Sequence, residues 1–351
     1  MLTVVNDDGS DLRRLRIPMH YHCVAAGPRD DLIYLIGNQR PSALIALDSR
    51  TLELVKVETA GSGKDRTFGG HGVWLPNSDH MAFTMNGFQK GVHDFISIRE
   101  ARTLREVERY STFGFQTHEI RLSPSRKFFV CGHYGSYLGQ GPYVGMGIYG
   151  AQGGYSMERA PKHVYPSSVT LVEAASGKRL RLLSDIRAGQ EGHADADEAY
   201  NVYLPNLPSR LETRAKIEEN PRFREGENEV EDRGEFAVTD HSVGISVAYD
   251  PAYREAIVPH RGALVVYVTD SATGKQREIN LREQLTPAEL AWLNPTPDFL
   301  SGLAFHPDGK HYVISSSNGF IALERGTHRV NHAMTFPLPL QVHSHLCIFS
   351  S

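Results

Sequence analysis

Cysteine is scarce: 351 residues hold three, Cys23, Cys131 and Cys347. None has the C-x-x-C spacing of a metal site, and a disulfide scaffold is not expected at this length. A basic excess is also missing. Thirty-seven Lys and Arg face 41 Asp and Glu, for a net charge of −4 and a pI near 6.5. Electrostatics therefore attract neither nucleic acid nor an anionic membrane. No apolar run approaches the roughly 20 residues of a membrane span. Arg13, Arg14 and Arg16 are not followed by an apolar stretch, so no intact signal peptide is read there. The expectation is a cytoplasmic chain or a processed, mature form. Neither a Ser-His-Asp order nor a Gly-x-Ser-x-Gly elbow supports acyl transfer, and no glycine loop sits between a strand and a helix to cradle phosphate.

What is present is an ordinary globular composition, 40% hydrophobic and 22% charged, with one outlier: 17 histidines. There is also a repeat. HCVAAGPRDDLIYLIGN from His22, HGVWLPNSDHMAFTMNG from His71 and HEIRLSPSRKFFVCGHYG from His118 share one form, as does GLAFHPDGKHYVISSSNG from Gly302. Each reads as a short alternating strand, a Pro-containing turn and a second apolar strand. His22 and His71 are 49 residues apart, His71 and His118 47, the length of one four-stranded propeller blade. Charged outer hairpins follow in step, such as SALIALDSRTLELVKVE and GALVVYVTDSATGKQREINL. They suit a solvated rim.

The predicted fold is all-β: one β-propeller domain over 1–351, with seven four-stranded blades beginning near 22, 71, 118, 193, 241, 302 and 345. Too few residues follow 344 for a whole blade, so the N-terminal strand at 2–6 is expected to close the last one. A β-sandwich is the weighed alternative, but a sandwich does not require a period. Two stretches break the repeat: a Gly/Tyr-rich insertion at 135–166 and a charged insertion at 207–234. Long loops in compact domains are often functional. Around KIEENPRF in the second insertion a short helix is expected.

At GGHGVWLP, at THEIRLSPSRKFFVCGHYG and at the terminal HSHL, the chain resembles the bacterial propeller family "domain of unknown function 1513". The phrase from Arg16 to Ala26 carries the resemblance too. The family's Gly-Pro before the second histidine is Gln116-Thr117 here, its terminal Asn is Ser344, and the Gly/Tyr insertion has no counterpart in it. The resemblance implies a seven-bladed propeller, usually exported by the twin-arginine route and often encoded beside periplasmic iron-acquisition proteins. A periplasmic location is therefore expected for the processed form.

Residues that open equivalent inner strands lie on one circle around a propeller axis. His22, His71 and His118 hold that position in three successive blades, His345 opens the seventh, and His193 and His241 fall near the fourth and fifth starts. Six residues separate His from Pro at His22 and His118 but five at His71. A one-residue slip reverses a strand side chain unless a bulge absorbs it. Imidazoles converging on one axis would bind a transition metal such as Fe, Cu or Zn. Glu119 is placed to orient an imidazole or to ligate directly. The ring of His22, His71, His118 and His345 is expected within one small region. The weighed alternative is histidines bonded to neighbouring carbonyls in a wet channel. EGHADADEAY, with His193, Asp195, Asp197 and Glu198, is a weaker candidate for a hard cation. Two other functions remain open: a non-enzymatic scaffold presenting rim loops to a protein partner, and a lyase or lactonase using channel His and Tyr as acid and base.

Overall fold

The computed structural model describes residues 2–4, 6, 11–17, 21–27, 31–38, 41–60, 66–76, 78–87, 93–133, 136–137, 163–165, 167–185, 193–205, 237–238, 246–260, 263–293, 300–316, 318–335 and 348. A hairpin opens the chain, β1 (Leu2–Val4) against β2 (Arg13–Leu15). The first blade is β3 (Cys23–Ala26), β4 (Leu32–Ile36), β5 (Ala43–Asp48) and β6 (Leu54–Thr59). The second is β7 (Arg66–Leu75), β8 (His80–Gly87), β9 (Phe95–Glu100) and β10 (Glu106–Ser111). In the third, β11 (Thr117–Leu122) and β12 (Phe128–His133) are followed by a separate ribbon, β13 (Ser136–Tyr137) with β14 (His163–Tyr165). That blade is completed by β15 (Ser167–Glu173) and β16 (Arg179–Asp185).

Next comes a three-stranded sheet, β17 (Asp195–Ala196), β18 (Val202–Leu204) and β19 (Ala237–Val238), in which the last pairing is parallel. Two further four-stranded blades close the described chain. One is β20 (Ala248–Asp250), β21 (Glu255–Pro259), β22 (Val265–Asp270) and β23 (Gln276–Asn280). A short helix α1 (Pro287–Leu293) leads to the other, β24 (Leu300–Phe305), β25 (His311–Ser316), β26 (Gly319–Glu324) and β27 (Val330–Thr335).

The arrangement is an all-β propeller, with a correction to the count. The described residues form five four-stranded blades, not seven. The expected fourth blade near 193 is the three-stranded sheet. Its chain leaves β18 into the charged stretch after Leu204, which offers no alternating apolar run for an antiparallel third strand. The blade expected from 241 has its inner strand at Ala248–Asp250. The insertion at 207–234 with its expected helix, the start near 345 and most of 135–166 lie outside the described residues. For ring closure, Leu2–Val4 pairs with Arg13–Leu15; of its expected partner 345–350, only Ile348 is described.

Neighbouring blades share their cores in chain order. Tyr34, Phe68 and Phe83 pack between the first and second blades, and Ile98, Ile120 and Phe129 between the second and third. Val266, Leu303 and Tyr312 pack between the last two. Leu2 packs on Ile33, Leu35 and Ile45 of the first blade. The outer hairpins repeat one turn. The fifth residue has positive φ at Leu52 (59°), Leu104 (57°), Gly177 (69°), Gly274 (68°) and His328 (55°). In each case its N–H donates to the first residue's carbonyl at 2.8–2.9 Å. Asp48 and Asp270 brace theirs by accepting the N–H groups of the third and fourth residues, the local hydrogen bonding that favours Asp in turns.

Buried in the third blade, His133 bonds through Nδ1 to Thr117 Oγ1 (2.8 Å) and through Nε2 to Thr170 Oγ1 (3.0 Å). Burial, helped by the charge of His93, depresses its pKa from 6.5 to about 3. The folded chain thus resists a proton that the unfolded chain accepts. Stability from this residue is present above about pH 6.5 and lost as pH falls from there towards 3, at up to about 1.4 kcal/mol per pH unit. Urea melts between pH 7 and 4 should show that slope, and His133→Asn, which can bond both hydroxyls, should flatten it. An unchanged slope in the variant rejects the assignment.

Candidate metal centre

Four histidines meet at the inner ends of consecutive sheets. The ligand nitrogens of His22, His71, His118 and His193 all lie within 4.8 Å of one another, with His71, His118 and His193 buried and His22 partly exposed. His22 Nε2 and His118 Nε2 are 3.0 Å apart. Ring centroids of adjacent pairs are separated by 4.4–5.3 Å, edge to face.

Backbone irregularities aim these rings. In β7, Phe68 pairs with Met85 but Gly72 pairs with Phe83, so the inner strand carries two extra residues around Gly69, Gly70 and His71. That bulge absorbs the shorter His-to-Pro spacing and turns His71 back to the axis. It also explains the two glycines. A Cβ on Gly69 would sit 2.1 Å from the Thr117 carbonyl oxygen; one on Gly70, whose φ is +121°, would sit 2.9 Å from the His22 ring. In β11 the register slips between Thr117 and Glu119, so neither His118 nor Glu119 is lost to the blade interior.

Glu119 lies behind two of the rings. Its Oε1 is 3.1 Å from His71 Nδ1 and its Oε2 2.7 Å from His193 Nδ1. His118 Nδ1 donates to the Gly69 carbonyl at 2.9 Å. A carbonyl or an ionised carboxylate only accepts, so these Nδ1 atoms carry protons, which leaves the Nε2 of a neutral ring with the lone pair. This is the outer hydrogen bonding that fixes metal-ligating imidazoles.

The charges are consistent with that role. Burial pushes Glu119 up, but His71, Arg121 and the hydrogen bonds from both imidazoles hold it well below the usual carboxylate range. Burial would likewise depress His71, yet the Glu119 carboxylate, with Cys23, outweighs it and lifts His71 to about 10. Burial wins at His193, whose pKa is lowered. Without an ion the cluster therefore retains a proton, which a bound cation would displace.

Arg121, two residues beyond Glu119 on the same strand face, was not read from sequence as part of the site. Its Nε is 3.7 Å from Glu119 Oε2, and its Nη1 is 3.9 Å from Asp195 Oδ2. The period-2 alternation after Glu119 was the available signal. Of the other expected ligands, His241 and His345 lie outside the described residues. The hard-cation reading of EGHADADEAY is corrected. Asp195 accepts the N–H groups of Ala196 and Tyr249. Asp197 holds a turn through the N–H groups of Ala199 and Asn201, and Glu198 accepts from Ser125 of the third blade. These carboxylates serve the backbone, while His193 turns to the axis.

His22, His71, His118 and Glu119 fall within one family-model span. Residues 15–135 match the family model "Protein of unknown function (DUF1513)". The match supports the resemblance seen in the His71 and His118 phrases; His193 lies beyond the DUF1513 span. No curated protein matches the chain. Among solved structures, hydrazine synthase of Kuenenia stuttgartiensis is similar at 13% identity and a TM-score of 0.45, covering 92% of this chain and 70% of that one.

Proposed function

We propose that this propeller binds one transition-metal ion, Fe, Cu or Zn, at His22, His71, His118 and His193, and serves transition-metal handling or a metal-dependent reaction. The observation that carries the reading is the shared carboxylate: Glu119 takes an Nδ1–H from each of two rings. A set of histidines that merely bonded to channel carbonyls would not need one buried acid to fix two of them. The donor set is nitrogen only, which suits borderline ions over Mg²⁺ or Ca²⁺. On the family resemblance, the periplasm is the proposed compartment.

Titration of chelator-stripped protein tests the reading. One Zn²⁺ or Cu²⁺ per chain is expected, with no competition from millimolar Mg²⁺ or Ca²⁺. An ion that bridges residues 22 to 193 binds only the folded chain, so 100-fold excess over Kd should add about 2.7 kcal/mol of stability. Absence of saturable binding rejects the proposal.

A further inference from the structure

The arrangement of the four nitrogens also bears on what the ion would do. With metal–nitrogen bonds of about 2.1 Å, ligands at a right angle lie about 3.0 Å apart, ligands at the tetrahedral angle about 3.4 Å, and opposed ligands about 4.2 Å. His22 Nε2 and His118 Nε2 stand 3.0 Å apart, hydrogen-bonded to each other in the ion-free cluster. The four ligand nitrogens lie within 4.8 Å of one another, a wider spread than the tetrahedral separation requires. A set this wide accommodates a five- or six-coordinate ion, which four protein donors do not complete. His22 is the partly exposed member, so the incomplete side has a route to solvent.

Charge decides what fits there. Four neutral imidazoles leave the ion's charge uncompensated in its own coordination shell. Nearby, Glu119 is opposed by Arg121, and Arg121 also faces Asp195. A divalent ion with these three groups leaves a net charge of +1 at a buried centre, where charge is weakly screened.

We infer that the loaded centre keeps at least one coordination position open, on the His22 side, for a small anionic ligand. The inference rests on the metal reading above and assigns it a ligand-binding rather than a purely structural role.

Cobalt(II) provides the test, because its visible absorption is strong when four-coordinate and weak when five- or six-coordinate. Stripped protein is loaded with Co²⁺ and titrated with azide, and in parallel with acetonitrile, a neutral donor of similar size. Weak bands are expected, with a saturable azide-induced shift at least tenfold tighter than any acetonitrile effect. Strong four-coordinate bands that azide does not move overturn the inference and leave the metal site standing. Equal responses to azide and acetonitrile overturn the anionic class. Failure of Co²⁺, Zn²⁺ and Cu²⁺ alike to bind overturns both this inference and the metal reading.

Discussion

Replacing His71 with alanine is expected to weaken metal binding by more than a hundredfold. His71 supplies one of four nitrogens, and its loss also leaves Glu119 Oε1 without its imidazole donor. Glu119→Gln keeps all four rings but replaces one carboxylate oxygen by an amide NH₂, which cannot accept from an imidazole N–H. One of His71 and His193 then loses its orienting partner. Outer partners of metal ligands are typically worth 10–100-fold in affinity, so Glu119→Gln should fall between wild type and His71→Ala. Competition against a chromophoric chelator measures all three. Circular dichroism and melting of the ion-free proteins establish that the variants remain folded. Equal affinity in wild type and His71→Ala would show that the ion sits elsewhere.

The second large effect concerns the seam between the last two blades. Asp250 at the end of β20 is fully buried, and Arg325 in the outer turn of the neighbouring blade grips it with two bonds. Nε donates to Oδ2 at 2.7 Å and Nη2 to Oδ1 at 2.5 Å, while Nη1 reaches the Gly309 carbonyl at 2.8 Å. The guanidinium also lies 5.2 Å from the Phe305 ring centre. Removing one partner of a buried pair strands the other charge, at a cost of about 3–5 kcal/mol. Arg325→Met should therefore lower the unfolding free energy by that amount in a denaturant melt. Asp250→Asn/Arg325→Met, which removes both charges, should recover part of it. A single variant within about 0.5 kcal/mol of wild type would mean the seam is held by its apolar cluster alone.

The sequence made the blades legible where strand pattern and turn chemistry coincided. Inner strands expected near 22, 71, 118 and 302 begin at Cys23, Arg66, Thr117 and Leu300. The count failed where chemistry changed. Beyond Leu204 the chain is charged and lacks apolar alternation, and a period extrapolated through it supplied a full blade that the described residues do not form. His71 and His118 were visible because recurrence at one position of a rotational repeat implies one circle. The one-residue mismatch at His71 was resolved only by the Gly69–Gly70 bulge, a backbone feature whose packing reason lies in Thr117, 48 residues away in sequence. His193 was recognised as a blade start, yet its neighbours Asp195 and Asp197 looked like co-ligands. Their bonds to Tyr249 and Asn201 N–H groups depend on tertiary contact and on turn geometry that spacing does not encode.

The central claim is that one ion is held by four imidazoles drawn from four consecutive sheets. The most direct measurement is the anomalous scattering of crystals grown with Zn²⁺ and recorded on both sides of the zinc absorption edge. A single strong peak is expected among the nitrogens of His22, His71, His118 and His193, about 2.0–2.1 Å from each, with Glu119 bonded to His71 and His193 behind them. A peak at another site, or well-ordered imidazoles around that point with no peak at saturating zinc, would contradict the account.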